Sequence, residues 1–323
     1  MLSVYIPHGT TLERRIVESG ALPDEAVWID LVSPTTPEDK LVEELLGVAV
    51  PTREEMQEIE VSSRLYVENG ARYMTATLMC QSDTASPKTT PVTFILSGHR
   101  LVTVRYDDPR PFAIVEHRLS RNCPSKINGE IVLVDLLDAV IDRSADILER
   151  IGSEVDQISR TIFEPDDDRV DTREYNEILK GLGRKGDLTS KVRESQVSIG
   201  RLVLFLANEA ETMRWPKDAR AQVNSMQRDV VSLSDHSTYL SNKITFLLDA
   251  LLGSVTIQQN NVIKLFSVAA VVFMPPTLVA SIYGMNFRHM PELDWYFGYP
   301  LALALMVAAA VGPYFFFKWK KWL

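Results

Sequence analysis

The first third of the chain alternates short apolar runs with turn residues, a pattern that predicts a mixed α/β region over residues 1–112. The runs are rich in β-branched and aromatic residues, and they predict strands at 2–6, 26–32, 63–69, 72–80, 91–97 and 99–106. Asn69-Gly70 lies between two of these runs and is typical of a tight hairpin turn. Short helices are expected after the stretch 33–38 and over 52–60.

From about residue 130 to 210 the apolar residues recur at three- and four-residue steps, which predicts long amphipathic helices. Glu164-Pro165 and the three aspartates after it interrupt the pattern, so two antiparallel helices are expected. The aspartates are most simply a solvated turn that places negative charge at a helix N-terminus, and cation binding is the alternative.

Residues 217–283 contain no proline before Pro275 and a single glycine, Gly253. One helix over this stretch would be about 100 Å long at ~1.5 Å per residue, which suits a stalk that runs from the cytosol into a membrane. Pro275-Pro276 frees backbone carbonyls one turn earlier. A kink in a pore wall and a kink that serves packing both remain open.

Two uncharged stretches, 265–283 and 297–317, have the ~17–25 residues of a transmembrane helix. The connecting loop is short, so both ends of the hairpin lie on the same side of the membrane. Lysines precede the first stretch and follow the second, which places that side in the cytoplasm. Buried helices of a soluble protein are the alternative, but aromatic residues flank the second stretch as they do at membrane interfaces.

Charge divides the chain at the same place. All but five of the 34 Lys+Arg and all but two of the 43 Asp+Glu precede residue 260, so an acidic part joins a slightly basic membrane part. An acidic surface repels phosphates and makes nucleic acid an unsuitable partner. Cys80 and Cys123 have no metal-ligand spacing and are expected to be reduced, and the N-terminus lacks an export signal. The large domain is therefore expected in the cytoplasm.

Small and polar residues follow the predicted long helix at seven-residue steps, and in a supercoiled bundle such positions share a face. We call them the heptad seam: Asp249, Thr256, Asn260, Ile263, Ser267, Ala270, Met274, Thr277 and Ser281. A ring of equivalent helices with this seam inward would form a mildly polar pore, with Ile263 and Met274 as constrictions that can gate by dewetting. The alternative is that small and hydroxyl residues simply let membrane helices pack closely.

Tyr283-Gly284-Met285-Asn286-Phe287, then Met290-Pro291-Glu292-Leu293 and a basic end Lys-Trp-Lys-Lys-Trp-Leu, closely resembles the CorA family of magnesium channels. The stretches 26–31, 260–264 and 275–281 are similar to the family as well, so the resemblance covers the whole chain. It implies an α+β membrane protein with a cytosolic α/β funnel and a stalk helix that continues into the first of two C-terminal transmembrane helices. It also implies a homopentamer in the bacterial inner membrane, with both termini in the cytoplasm.

The resemblance implies passage of Mg2+, and often of Co2+ and Ni2+, down the electrochemical gradient. Gly284, Met285 and Asn286 match the selectivity filter, where Asn286 would contact the hydrated ion. Intracellular Mg2+ would also close the pore, so Mg2+ is both cargo and regulator, and no organic cofactor is implied. Asp229 and Asp235 are regulatory candidates whose match to the family is poor. Glu292 and Asp294 can concentrate cations at the outer mouth.

These expectations divide the chain into five parts. They are an α/β domain (1–130), a helical hairpin (131–215), the stalk with a span at about 264–284 (216–287), an outer loop (288–296), and a second span with a basic tail (297–323). The alternative transporter is of the ZntB type, which carries Zn2+ with protons, although the MPEL loop favours CorA. An enzyme is not expected, because no nucleophile elbow, P-loop or zinc motif is found. Asn286 leaves the seam if the helix continues, so a turn after Gly284 is predicted.

Overall fold

The computed structural model describes residues 1–17, 20, 22–124, 126–164, 172–285, 290–291 and 295–320, with the side chains of residues 61 and 172–174 left aside. Contacts between Cα atoms divide the chain into two compact units, Met1–Leu248 and Asp249–Leu323.

The first unit contains one seven-stranded sheet. Its strands are β1 (Leu2–His8), β2 (Thr11–Val17), β3 (Trp28–Val32), β4 (Leu65–Glu68), β5 (Ala71–Cys80), β6 (Lys88–Ser97) and β7 (Arg100–Arg105). The order is β2-β1-β3-β7-β6-β5-β4, and only the pairing of β3 with β7 is parallel. All six predicted strands are present, with bounds that differ by a few residues. β2 was missed because three charged residues, 13–15, replace apolar alternation in this exposed edge strand.

Eight helices are assigned in the described residues: α1 (Thr36–Leu46), α2 (Arg53–Met56), α3 (Val61–Arg64), α4 (Arg110–Arg121), α5 (Gly129–Phe163), α6 (Thr172–Thr212), α7 (Lys217–Tyr283) and α8 (Gly298–Trp319). The long helical pair and the stalk helix agree with the predicted pattern. The single helix expected over 52–60 is instead α2 followed by α3, and α4 was not predicted. Thr52 and Glu55 form a capping box that fixes the start of α2.

The sheet is covered on both faces, because side chains alternate across each strand. One face packs against α1 and α2 in a core that includes Ile29 and Met56. The opposite face packs against α4, α5 and α6 around Trp28 and Phe112. A third apolar cluster joins α5, α6 and α7. The first unit is therefore a three-layer α/β structure extended by a helical bundle.

α5 begins in close contact with the sheet. A Cβ atom on Gly129 would lie 2.4 Å from the backbone nitrogen of Leu101 in β7. The Gly129 amide donates to the His99 carbonyl at 2.6 Å. The side chain of Asn128 caps the helix by accepting from the amide of Ile131 at 3.0 Å. Only glycine fits where the helix meets the strand this closely.

The second unit consists of the C-terminal part of α7 and α8. Both helices contain an 18-residue window apolar enough to cross a membrane, with mean hydropathies of 2.0 and 1.9. The α7 window has no buried residue and the α8 window is 6% buried, which is unlike the core helix of a soluble protein. Their length and apolar surface therefore fit two membrane spans.

Candidate functional site

The heptad seam lies on the open side of α7. All nine of its residues are exposed, and Ile263 and Met274 are 62% and 70% accessible. The half-buried positions of the same apolar stretch form a different stripe: Val268, Ala269, Val272, Pro275, Pro276, Val279 and Tyr283. At 100° per residue the two stripes are about 180° apart, on opposite sides of the helix. The single chain therefore leaves a surface with polar groups uncovered within an otherwise apolar helix.

Three hydroxyl groups of the seam donate to their own helix. The bonds run from Thr256 to the Leu252 carbonyl (2.9 Å), from Ser267 to the Ile263 carbonyl (2.8 Å) and from Thr277 to the Phe273 carbonyl (2.7 Å). A hydroxyl has one hydrogen and two lone pairs, so each of these oxygens remains free only to accept. The seam thus presents acceptor oxygens, which suit the outward-pointing hydrogens of water bound to a cation.

Both prolines, Pro275 and Pro276, lie inside the assigned α7 helix. They cannot donate to the carbonyls of Val271 and Val272, so these two acceptors lack their usual backbone partner. A cavity of about 610 Å³ opens at this level between Ala270 and Ser281 and includes Met274 and Thr277. Both prolines belong to the half-buried stripe, on the opposite side of α7 from the heptad seam, and Pro275 also lines this cavity.

α7 ends at Tyr283, next to the turn predicted from the sequence pattern. The Gly284 amide donates to the Ala280 carbonyl at 2.9 Å, which is the last α-helical bond. The Met285 amide instead bonds the Ile282 carbonyl at 3.3 Å, so the chain leaves the α-helical path here. Asn286, Glu292 and Asp294 lie outside the described residues, and their predicted roles stay predictions.

The seven-residue repeat of the heptad seam also continues on the N-terminal side of Asp249. Seven-residue steps back from Asp249 reach Asn242, Asp235 and Arg228. Gly253 lies seven residues before Asn260 of the seam, and the same steps back from it reach Phe246, Tyr239 and Ser232. All six are exposed, although Tyr239 and Phe246 are large aromatic residues at 56% and 60% accessibility. Another seven-residue series of α7, which includes Val230 and Ile244, is buried against the bundle. The seven-residue spacing of these exposed positions can be read from the sequence, so the extension of the seam could have been predicted.

Three comparisons with known proteins agree with this architecture. A family model described as CorA-like Mg2+ transporter protein matches residues 23–320. The magnesium transport protein CorA of Escherichia coli K12 is 37% identical over the full length of both chains, and that of Pasteurella multocida is 33% identical, also over both full lengths. The complete structure of the CorA magnesium transporter from Methanocaldococcus jannaschii covers 100% of this chain and 99% of its own, with a TM-score of 0.77 at 17% identity.

The chain belongs to the CorA-like Mg2+ transporter family. The resemblance inferred from the motifs is thereby confirmed. The CorA fold includes an N-terminal α/β domain, a long helix and two apolar C-terminal helices, as found here. The members of this family are described as Mg2+ transporters. A ZntB cytoplasmic domain from Vibrio parahaemolyticus also matches, at 9% identity and a TM-score of 0.59, and this shows a shared fold only.

The two regulatory candidates of this CorA-type chain lie in different surroundings. Asp229 is close enough to Asp138 of α5 to contribute to the raised pKa of that carboxyl, which results first from burial and then from Asp142. Asp235 lies on the continuation of the heptad seam and is exposed. Among the described residues, no three His, Cys, Asp or Glu side chains are grouped so that they could hold a metal ion.

Proposed function

We propose that this chain is one subunit of a homopentameric channel that passes Mg2+ across the bacterial inner membrane, down its electrochemical gradient. The observation that carries the proposal is the heptad seam, whose hydroxyl oxygens point acceptor lone pairs away from α7 in the apolar unit. Lipid offers no donor to these oxygens, so the seam is suited to a water-filled interior.

The seam also supports the assembly of several copies. One hairpin of two helices cannot surround a pore, whereas equivalent helices with the seam inward can. The exposed continuation of the seam through Tyr239 and Asp235 extends the same repeat into the first unit, where it is available to other subunits. The proposed number of five subunits is taken from the resemblance to the CorA family.

We place the selectivity filter at Gly284, Met285 and Asn286. Mg2+ loses its water reluctantly, so a suitable filter holds the hydrated ion through neutral oxygens such as the side-chain carbonyl of Asn286. Glu292 and Asp294 would concentrate cations near it. A membrane potential of 100 mV contributes about 4.6 kcal/mol for a divalent ion, which is enough to drive entry without another energy source.

We assign residues 1–130 and 131–215 to the cytosolic domain, 216–287 to the stalk and first span, 288–296 to the outer loop, and 297–323 to the second span and tail. Both termini are then cytoplasmic. Co2+ and Ni2+ are expected as further cargo. Intracellular Mg2+ is proposed to close the channel through sites between subunits, with Asp229 and Asp235 as candidates.

Uptake of Mg2+ by a Mg2+-auxotrophic host tests this function. Asn286→Ala should abolish uptake while the protein still assembles, and Asn261→Ala, one residue outside the seam, is the matched control. Competition by Co2+, Ni2+ and Zn2+ measures the ion preference. Normal uptake by the Asn286→Ala protein would refute the filter assignment.

A further inference from the structure

A groove in the first unit has features that ion passage does not explain. It is a cavity of about 500 Å³ between the segment around α3, the strands β4 and β5, and one side of α6. Its wall includes three arginines, Arg64, Arg193 and Arg201, together with five Ser and Thr residues. We call it the arginine groove. It lies wholly within the unit Met1–Leu248.

The arginine groove has an excess of positive charge. Among the described residues that line it, Glu194 is the single acidic one against three guanidinium groups, in a chain whose net charge is −9. Arg64 is held in place, because it donates to the Thr77 hydroxyl at 3.2 Å and to the Glu58 carbonyl. Burial lowers the pKa of Arg64 and the nearby charge of Arg201 lowers it further, although Glu194 acts against both. Arg64 and Arg201 are therefore close enough for their charges to repel each other.

Arg193 and Arg201 form no ion pair with any described residue. A second groove, of about 530 Å³, shows the opposite arrangement. There Arg150 is paired with Asp83, and Lys185 is paired with Glu154. The positive charges of Arg150 and Lys185 in the second groove are thus compensated by carboxylates of the same chain. Arg193 and Arg201 in the arginine groove lack such a carboxylate, and an anionic ligand could supply the missing negative charge.

We propose that the arginine groove binds a phosphate-bearing small molecule of the nucleoside phosphate class. Guanidinium groups match phosphate oxygens with paired hydrogen bonds, and the hydroxyls around them can add further donors. The apolar wall of Ile59, Leu65 and Val197 offers a surface for a base, and Ile59 is 86% exposed. A volume of about 500 Å³ suits a ligand of this size and exceeds what inorganic phosphate needs. The site does not depend on the proposed channel function.

Equilibrium binding to the full-length protein in detergent tests the proposal, with ATP and inorganic phosphate as separate probes. The buffer is free of divalent metal, so that removal of Mg2+ by ATP cannot be mistaken for binding. Arg193→Gln and Arg201→Gln should each weaken ATP binding about tenfold, since each removes charged hydrogen bonds. The matched control is Arg184→Gln, which makes the same charge change on α6 in the second groove and should shift affinity less than about twofold.

Saturable ATP binding with this dependence on the two arginines supports the site. Equal affinity for inorganic phosphate would overturn the nucleoside part of the proposal. Absence of binding by both probes at millimolar concentration, or an equal loss in the Arg184→Gln protein, would overturn the whole. Size-exclusion chromatography of each variant adds a further test. If the arginine variants dissociate the oligomer and leave ATP affinity unchanged, the groove instead receives a carboxylate of another subunit.

Discussion

A buried ion pair in the sheet of the first unit allows a quantitative prediction. Asp30 is 1% exposed, and Arg105 donates to both of its carboxylate oxygens at 2.9–3.2 Å. Thr103 also donates to Asp30 at 2.7 Å, and it accepts from the indole of Trp28 at 2.9 Å. Asp30→Asn removes the charge that compensates a buried guanidinium and introduces a donor where only donors converge.

Removal of one partner of a buried ion pair costs about 3–5 kcal/mol. The lower end of this range applies, because Arg105 keeps Asp108 at 2.6 Å and lies over the ring of Phe112 at 4.6 Å. For a unit of this size, ~3 kcal/mol lowers the unfolding temperature by about 6–12 °C. Thermal unfolding followed by tryptophan fluorescence measures the change, since Trp28 belongs to the same hydrogen-bond network.

Asp24→Asn is the matched control, because it also removes an aspartate that pairs with an arginine. Asp24 is 90% exposed and lies 3.5 Å from Arg100, so the expected loss is below about 0.5 kcal/mol. If Asp30→Asn and Asp24→Asn lower the unfolding temperature equally, the reasoning from burial is wrong.

Three further predictions concern α5, α6 and α7. Gly129→Ala places a Cβ against the backbone of β7 and should cost about 3 kcal/mol or more in unfolding experiments, whereas Gly183→Ala, in open space on α6, should stabilise by about 0.5–1 kcal/mol. Thr277→Val should leave folding intact but slow Mg2+ flux by up to about tenfold, because one acceptor oxygen per subunit is lost; Thr245→Val, another exposed threonine bonded to its own helix, is the control and should keep full flux. The pKa of Asp138 is raised by burial and by neighbouring aspartates. The ionised carboxylate therefore lowers the stability of the fold at pH values above the folded-state pKa, and this loss of stability disappears as the carboxyl becomes protonated at lower pH. Asp138→Asn should therefore raise stability at pH 7 by less than about 1 kcal/mol and have no effect at pH 3; an equal gain at both pH values would contradict this.

The sequence was sufficient to predict the elements whose apolar periodicity is strong. The strands around Trp28 and Phe94, and the long helices, have buried faces that repeat at the period of their secondary structure. β2 could not be predicted in this way, because its charged side chains face solvent and its pairing with β1 is what holds it. α4 was also not predicted, because it is a short helix with only four buried residues and its apolar periodicity is therefore weak.

The candidate site was predictable to a different degree. The heptad seam follows from spacing alone, and the structure adds that its hydroxyls donate to the helix. The direction of these hydrogen bonds decides that the hydroxyl oxygens can only accept hydrogen bonds from the water around a cation. It depends on side-chain rotamers, which the spacing of residues does not specify. The arginine groove could not be predicted, because Arg64 and Arg201 are 137 residues apart and meet only through the packing of β5 on α6.

Flux of Mg2+ into liposomes that contain only this purified protein tests the central claim most directly. An inward Mg2+ gradient, with equal pH on both sides and a fluorescent indicator inside, should give uptake that increases with an inside-negative potential. The same uptake should fall to the level of protein-free liposomes in the Asn286→Ala protein. Uptake that requires a pH gradient, or that carries Zn2+ and excludes Mg2+, would contradict the account.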